Sequence, residues 1–341
     1  MKNYHATFEK KTYIFKQPSG TSRGVLTEKH AWFIYLTSSN RTDRIGVGEC
    51  SIIPGLSPDF IDFTEYENKI QEVCQNIQYY IENQNELESF PSILFGLETA
   101  LLDLNSEKKG VFFDTYFTRR ESGIPINGLI WMGSKENMLQ QIEEKLLQGF
   151  SCLKMKVGAI DFDQELDILK SIRQRFSSSE IELRVDANGA FSVKDALVKL
   201  DQLSKFQLHS IEQPIKQGQI QEMADLCKNT PLPIALDEEL IGVYGMENKK
   251  QLLSHIKPQY IILKPSLHGG LIGSTEWINI AESYVIPWWM TSALESNVGL
   301  NAIAQFSSTF KNNLPQGLGT GSLYVNNELT VLKVVSGMLF F

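Results

Sequence analysis

Residues 151–158 read SCLKMKVG, and the placement of the two lysines decides what the rest of the chain can be. Leu153, Met155 and Val157 alternate with Lys154 and Lys156. In a strand, the ammonium groups therefore share one face and the apolar residues the other. Two like charges on a buried face are costly unless something offsets or uses them. The segment is either a wet edge strand or one wall of an active site, and the segments around it arbitrate.

From residue 124 onward, strand-like and helical patterns alternate. Strands are expected at IPINGLI (124–130), CLKMKV (152–157), IELRVDA (181–187), LHSIEQP (208–214), PIALDEE (233–239), YIILKP (260–265) and VIPWWMTS (285–292), with QGLGTGS (316–322) as an eighth. Between them lie amphipathic helical stripes, such as Met138, Ile142 and Leu146, or Phe162, Leu166, Leu169, Ile172 and Phe176. Repeated strand–helix units imply parallel strands, and this number of units suits an α/β fold of the (β/α)-barrel type, a modified TIM barrel. A doubly wound open sheet is the alternative.

The first third has a different texture. Three β-like runs, 6–16, 25–37 and 44–53, are separated by the turn-rich PSGTSRG and SSNRTDR. A helical stripe follows through Phe60, Phe63, Ile70, Cys74, Ile77 and Ile81. A second helix begins after Pro91, with Ile93, Leu97, Leu101 and Leu104 inward. The expected division is an N-terminal α+β capping domain over 1–120, a catalytic barrel over 121–322, and a segment 323–341 that packs back on the cap.

Barrel enzymes gather their active-site side chains at the carboxyl ends of the strands. Here those ends carry Lys154 and Lys156, then Asp186 with Asn188 two residues on, then Glu212, then Asp237, then Lys264. The intervals from Lys156 to Asp186, Glu212, Asp237 and Lys264 are 30, 26, 25 and 27 residues, each one strand-plus-helix unit. Three carboxylates at one height on neighbouring strands suit a hard divalent cation, Mg²⁺ or Mn²⁺. Lysines on the flanking strands would face each other across it. A metal ion can stabilise the dianion formed when a carbon beside a carboxylate loses its proton, and a lysine whose pKa is lowered by a second lysine can take that proton. Taken singly, each acid reads more simply as a helix cap, and K-x-K as a wet edge. Capping does not call for lysines first, acids in the middle and a lysine last. Glu238 and Glu239 are expected as helix N-terminal charges, His268 as incidental, Cys152 as core, and Trp288 and Trp289 on opposite strand faces.

The totals are those of an ordinary soluble globular protein. The 341 residues are 42% hydrophobic and 21% charged, with a net charge of −8, which argues against nucleic acid or anionic membrane as partner. No apolar run approaches the roughly 18 residues that cross a bilayer, and the N-terminal MKNYHATFEKK has no apolar signal core. Four cysteines stand far apart with no C-x-x-C pair, so a reducing cytoplasm is expected. Oligomeric state is left open.

The set KMK, DAN, IEQP, DEE and ILKP resembles the enolase superfamily, in its muconate-lactonizing-enzyme subgroup. Supporting stretches include GVGECSIIPGLS, PSILFGLETALLDL, INGLIWMG, TSALESNVGL and GLGTGSLY, so the likeness covers nearly the whole chain. Within the subgroup the chain most resembles the o-succinylbenzoate synthases of menaquinone biosynthesis. The resemblance implies that Lys156 removes the α-proton and then protonates the departing hydroxide, that Lys154 tunes it, and that Lys264 stabilises the dianion. It implies Asp186, Glu212 and Asp237 as Mg²⁺ ligands and a small carboxylate substrate. It also implies a loop of the cap, here PSGTSRGV, that closes the site. Substrate contacts are expected from Asn188, Arg23, Ser292, Glu295 and Ser296. Related N-succinylamino-acid racemases and dipeptide epimerases use the same lysine pair. The epimerases carry an acidic D-x-D near the eighth strand that GLGTG lacks. A metal-binding scaffold without catalysis is the reading from another class, and a phosphate-binding barrel using GLGTGS leaves the acids and lysines unexplained.

Overall fold

The structure is a computed structural model that describes residues 3–21 and 24–341. Strands β1 (Tyr4–Thr21), β2 (Gly24–Ser38) and β3 (Arg41–Ser51) form an antiparallel sheet in that order. β1 and β2 are one long hairpin, paired from Tyr4↔Ser38 to Thr21↔Gly24 with a register shift between Ile14 and Ser19. Residues 18–21 and 24 of the turn-rich PSGTSRG are therefore strand, and the hairpin arm extends well past the body of the sheet.

The stripe expected as one helix is two. Asp62 caps α1 (Phe63–Gln75) by accepting the Glu65 N–H at 2.9 Å, and the chain breaks at Asn76 before α2 (Ile77–Glu82). Phe60 lies ahead of the cap. Pro91 opens α3 (Pro91–Asn105), where its missing N–H costs nothing. α3 lies directly on β3 because Gly48 carries no side chain: an added Cβ would meet the Gly96 carbonyl oxygen at 1.8 Å. Trp32, Ile34, Leu36, Ile70, Val73, Ile93 and Leu97 are buried between the sheet and the helices.

The parallel sheet follows chain order: β5 (Gly128–Ile130), β6 (Cys152–Lys156), β7 (Glu182–Asp186), β8 (Ser210–Glu212), β9 (Ile234–Leu236), β10 (Tyr260–Leu263) and β11 (Trp288–Met290). Helices α4 (Lys135–Leu147), α5 (Phe162–Arg173), α6 (Val193–Ser204), α7 (Ile220–Asn229), α8 (Met246–Ile256), α9 (Gly270–Ser283) and α10 (Asn297–Ser307) alternate with the strands. Their inward stripes join the outward-facing strand residues in one apolar core. Among the described residues no helix is long and apolar enough to cross a membrane.

Two strand expectations are corrected. IPINGLI is split: β4 (Ile124–Pro125) pairs with a C-terminal hairpin, β12 (Lys333–Val335) and β13 (Met338–Phe340), and only β5 joins the barrel sheet. The expected eighth strand shrinks to a two-residue bridge. The Gly317 N–H reaches the Met290 carbonyl at 2.7 Å, and the Asn127 N–H reaches the Gln316 carbonyl at 3.0 Å, which joins the two sheet edges. The glycine-rich GLGTG has few side chains to pack and does not extend the ladder. The buried Arg184 guanidinium steadies this seam by donating to the Pro315 carbonyl at 2.8 Å while lying over Trp289.

Two cap carboxylates lock the cap to the barrel. Glu49 on β3 accepts the N–H groups of Ser296 (2.8 Å) and Gly299 (2.9 Å) at the start of α10. Glu98 on α3 accepts those of Leu271 (2.6 Å) and Ile272 (2.9 Å) at the start of α9. Each fills the unpaired donors of a helix N-terminus, where negative charge is favoured. Gly270, at φ +70°, leaves room: a Cβ there would lie 2.2 Å from Glu98 Oε2.

Candidate active site

Parallel pairing brings the expected residues to one place. Lys156, Asp186 and Glu212 lie side by side across β6, β7 and β8, and Glu212 pairs with Ala235, two residues before Asp237. Lys154 Nζ lies 3.1 Å from Asp186 Oδ2 and 2.7 Å from Glu212 Oε2. Lys156 Nζ lies 2.9 Å from the same Asp186 oxygen and 2.5 Å from Asn188 Oδ1. Across the barrel, Lys264 pairs with Asp237 Oδ2. The lysines are 8–9% exposed and the acids at most 2%. β6 is thus an interior strand with a charged inner face, and the wet-edge reading is excluded.

Electrostatics follow from this crowding. Burial disfavours the ammonium of Lys154, but Asp186 and Glu212 outweigh burial and hold its pKa above the ordinary lysine value. Lys264 is raised in the same way: Asp237 and then Glu212 overcome burial. Mutual repulsion was expected to lower a lysine here, yet for these two the neighbouring acids dominate. Burial pushes Asp186 up, but Lys154 and Lys156 more than reverse it, leaving this carboxyl well below the usual range. Glu212 is pushed up to about 8, first by burial and next by the charge of Asp186. It is the acid left short of positive charge, because Asp186 draws on both lysines of β6.

The donor chemistry suits a divalent cation. Among the described residues, Glu212 Oε1 and Asp237 Oδ1 are buried oxygens without a hydrogen-bond partner. Orphaned anionic oxygens of this kind are expensive unless a cation answers them. In the present arrangement Asp186 Oδ2, Glu212 Oε2 and Asp237 Oδ2 face ammonium groups and Asp186 Oδ1 accepts the Asn188 N–H at 3.0 Å, and among the described residues no three His, Cys, Asp or Glu side chains are gathered as ligands. The fit therefore rests on the three carboxylates and those two oxygens.

A cavity of about 140 Å³ opens over the lysines. Its barrel wall carries Lys154, Lys156, Asp186, Asn188, Glu212 and Lys264, and its roof is apolar, with Leu26 from the hairpin arm and Ile53, Pro54 and Leu56 from the turn after β3. Asp237 lies off the cavity wall, paired with Lys264. The turn after β11 completes the cavity with Thr291, Ser292, Ala293 and Leu294.

The expected substrate contacts divide. Asn188 and Ser292 reach the cavity. Asn188, at φ +43°, holds Lys156 with Oδ1 and donates from Nδ2 to Glu238 at 2.9 Å. Glu295 and Ser296 do not line it. Glu295 accepts the Ala293 N–H at 2.7 Å and the Ser266 hydroxyl, while Ser296 is consumed by Glu49. Both are buried supports beneath the turn. Arg23 lies outside the described residues.

Several contributors escaped the sequence reading. Glu238 and Glu239 do open a short 3₁₀ turn (Glu238–Leu240), as expected, but they are buried and paired there: Glu239 accepts from Gln213 at 3.1 Å and from the Gly218 N–H at 2.8 Å. Gln213, itself at φ +40°, accepts the backbone N–H groups of Asp237 and Glu239 and fixes the end of β9. His268 is not incidental: its buried Nδ1 accepts the Lys264 backbone N–H at 2.9 Å. Burial and the nearby Lys264 and Lys249 hold His268 neutral, as an acceptor must be. Four residues separate the two, a spacing that could have flagged the pair. His268→Ala should lower kcat about fivefold, the scale of one buried hydrogen bond at ~1 kcal/mol, with KM nearly unchanged. His268→Asn, which keeps an acceptor near the Nδ1 position, should recover most of the loss. Equal rates for both variants in steady-state assays would show that the bond does not position Lys264.

A family model described as enolase C-terminal domain-like matches residues 137–336. An o-succinylbenzoate synthase of Desulfotalea psychrophila is 46% identical, covering 99% of both chains. The crystal structure of MenC from Desulfotalea psychrophila LSv54 superposes with a TM-score of 0.83 at 43% identity, over 99% of each chain. A dipeptide epimerase from Enterococcus faecalis V583, complexed with Mg and the dipeptide L-Leu-L-Tyr, shares the fold alone, at TM-score 0.83 and 19% identity over 100% of this chain and 97% of its own. These likenesses and the lysines opposed across strand-end carboxylates lead to one conclusion: the chain belongs to the enolase superfamily.

Proposed function

We propose that the protein is an o-succinylbenzoate synthase, which dehydrates 2-succinyl-6-hydroxy-2,4-cyclohexadiene-1-carboxylate to 2-succinylbenzoate. The observation that carries this reading is the placement of Lys156 and Lys264 on opposite walls of one cavity, across Asp186, Glu212 and Asp237. The full-length synthase relative supplies the substrate.

Lys156, as the free amine, takes the proton from the ring carbon that bears the carboxylate. The electron pair left behind forms the new ring double bond as the hydroxyl leaves the adjacent carbon. The same Lys156, now ammonium, gives its proton to that hydroxide, so water departs from the face on which the base sits. Both roles on one residue make the elimination syn. Asn188 keeps the Lys156 nitrogen aimed into the cavity. Lys264, held as an ammonium by Asp237, faces the opposite side of the ring and stabilises the charge that builds there. Lys154 stays charged between Asp186 and Glu212. The apolar roof excludes water from the ring.

Asp186, Glu212 and Asp237 would hold Mg²⁺. Bound there, the ion supplies Lewis-acid charge to the substrate carboxylate beside the carbon that loses its proton. Charge balance supports this assignment. With Lys156 as the free amine, Lys154 and Lys264 leave one of the three acid charges uncompensated, and a dicarboxylate adds two more in a buried site, so a divalent cation offsets most of the excess.

The test follows absorbance loss of the cyclohexadiene with Mg²⁺, alongside α-proton exchange of N-succinylamino acids in deuterated water. Dehydration is expected. Exchange without dehydration would overturn the reading and make Lys264 a second base in a racemase.

A further inference from the structure

Lys29 is a buried cation that the chemistry above does not use. It sits on β2, is 5% exposed, and donates from Nζ to the carbonyl of Ala293 in the turn that lines the cavity. Burial lowers its pKa to about 8 against the opposing charges of Glu295 and Glu49. The N–H of Ala293 is taken as well, by Glu295 Oε2 at 2.7 Å. Leu294, at φ +61°, gives its carbonyl to the Tyr324 hydroxyl at 2.6 Å, while its N–H makes no hydrogen bond among the described residues.

The chain has no cis peptide among the described residues. In a trans peptide unit the C=O and the N–H point opposite ways. With the Ala293 carbonyl turned to Lys29, the Leu294 N–H of that same unit points away from Lys29, and Leu294 belongs to the cavity wall. From this geometry we propose that Lys29 is a specificity-determining positioning residue: it orients the 293–294 peptide so that the Leu294 N–H receives the distal carboxylate of the substrate. The cation also polarises the unit it grips. A positive charge on the carbonyl end strengthens the donor at the other end, and the low dielectric around a buried lysine magnifies the effect. The cap thereby selects for the succinyl chain without touching it. The inference rests on the dicarboxylate substrate proposed above.

The experiment measures, by calorimetry on the full-length protein with Mg²⁺, the affinity for 2-succinylbenzoate and for 2-butyrylbenzoate, which lacks the distal carboxylate. The wild type should prefer the dicarboxylate at least tenfold. Lys29→Met should cut that preference by tenfold or more through the dicarboxylate alone, and raise KM for the cyclohexadiene more than it lowers kcat. Lys29→Gln, which keeps an N–H donor without charge, carries the same comparison if the methionine variant does not fold, and should lose part of the preference. An unchanged preference in a folded variant, or equal weakening of both ligands, overturns the role of Lys29 while the proposed function stands. Failure of the wild type to favour the dicarboxylate would overturn both.

Discussion

Lys156→Ala should lose about 10⁴-fold in kcat, the upper end of what one general acid–base group contributes, since this nitrogen serves in both proton transfers. Little else should change. Asp186 keeps Lys154 at 3.1 Å, so the substitution does not strand a buried carboxylate. Asn188 retains its bond to Glu238 at 2.9 Å and can hold the local backbone. The melting temperature should move by only a few degrees, which separates lost chemistry from lost fold. Lys156→Arg sharpens the comparison: it restores the charge but not a usable base, because guanidinium does not give up its proton. If the arginine variant recovered activity, charge rather than proton transfer would be what the position supplies. A rate within tenfold of wild type for Lys156→Ala would place the base elsewhere.

Chelation has the second large effect. In excess EDTA, turnover should fall below detection and return on adding Mg²⁺. Thermal melting gives a readout independent of catalysis. A ligand at a hundred times its dissociation constant stabilises the folded state by about 2.7 kcal/mol, so Mg²⁺ should raise the melting temperature measurably. Glu212→Gln and Asp237→Asn should abolish that rise, because each leaves a neutral amide where an orphaned anionic oxygen now stands. A stabilisation by Mg²⁺ that survives both substitutions would mean that the ion binds away from these acids. Full turnover in EDTA would remove the metal from the chemistry.

What the sequence disclosed, and what it hid, divides along physical lines. The barrel was legible because parallel strands repeat at a nearly fixed interval and because five successive strands, β6 to β10, bear a charge at or just past their carboxyl ends. Lys154, Lys156, Asp186, Glu212, Asp237 and Lys264 come together because parallel pairing preserves that height. The seam was not legible: Gln316 and Gly317 close the barrel through main-chain bonds, which leave no side-chain pattern. Supporting polar residues were misread for a related reason. Glu238, Glu239 and His268 look like surface residues by type, and only the tertiary fold reveals that their partners are backbone N–H groups or buried amides. Glu295 and Ser296 share a turn with Ser292, yet side-chain direction divides contact from support, and adjacency in sequence does not encode direction. The lysine pKa expectation failed for Lys154 because repulsion from one neighbour is visible in K-x-K, whereas attraction by acids one and two strands away depends on distances.

Glu49 and Glu98 bear on how such a protein can change over time. Each acid belongs to the cap, yet each completes a helix of the barrel, so neither half can be exchanged for a foreign counterpart that lacks the matching piece. Replacing the cap would bare two helix ends in the interior; replacing the barrel would strand two buried carboxylates. New substrate preferences can thus arise by drift within the hairpin arm and the roof turn, where Leu26, Ile53, Pro54 and Leu56 stand clear of the joint. The architecture permits a lineage to retune its pocket while forbidding it to trade parts.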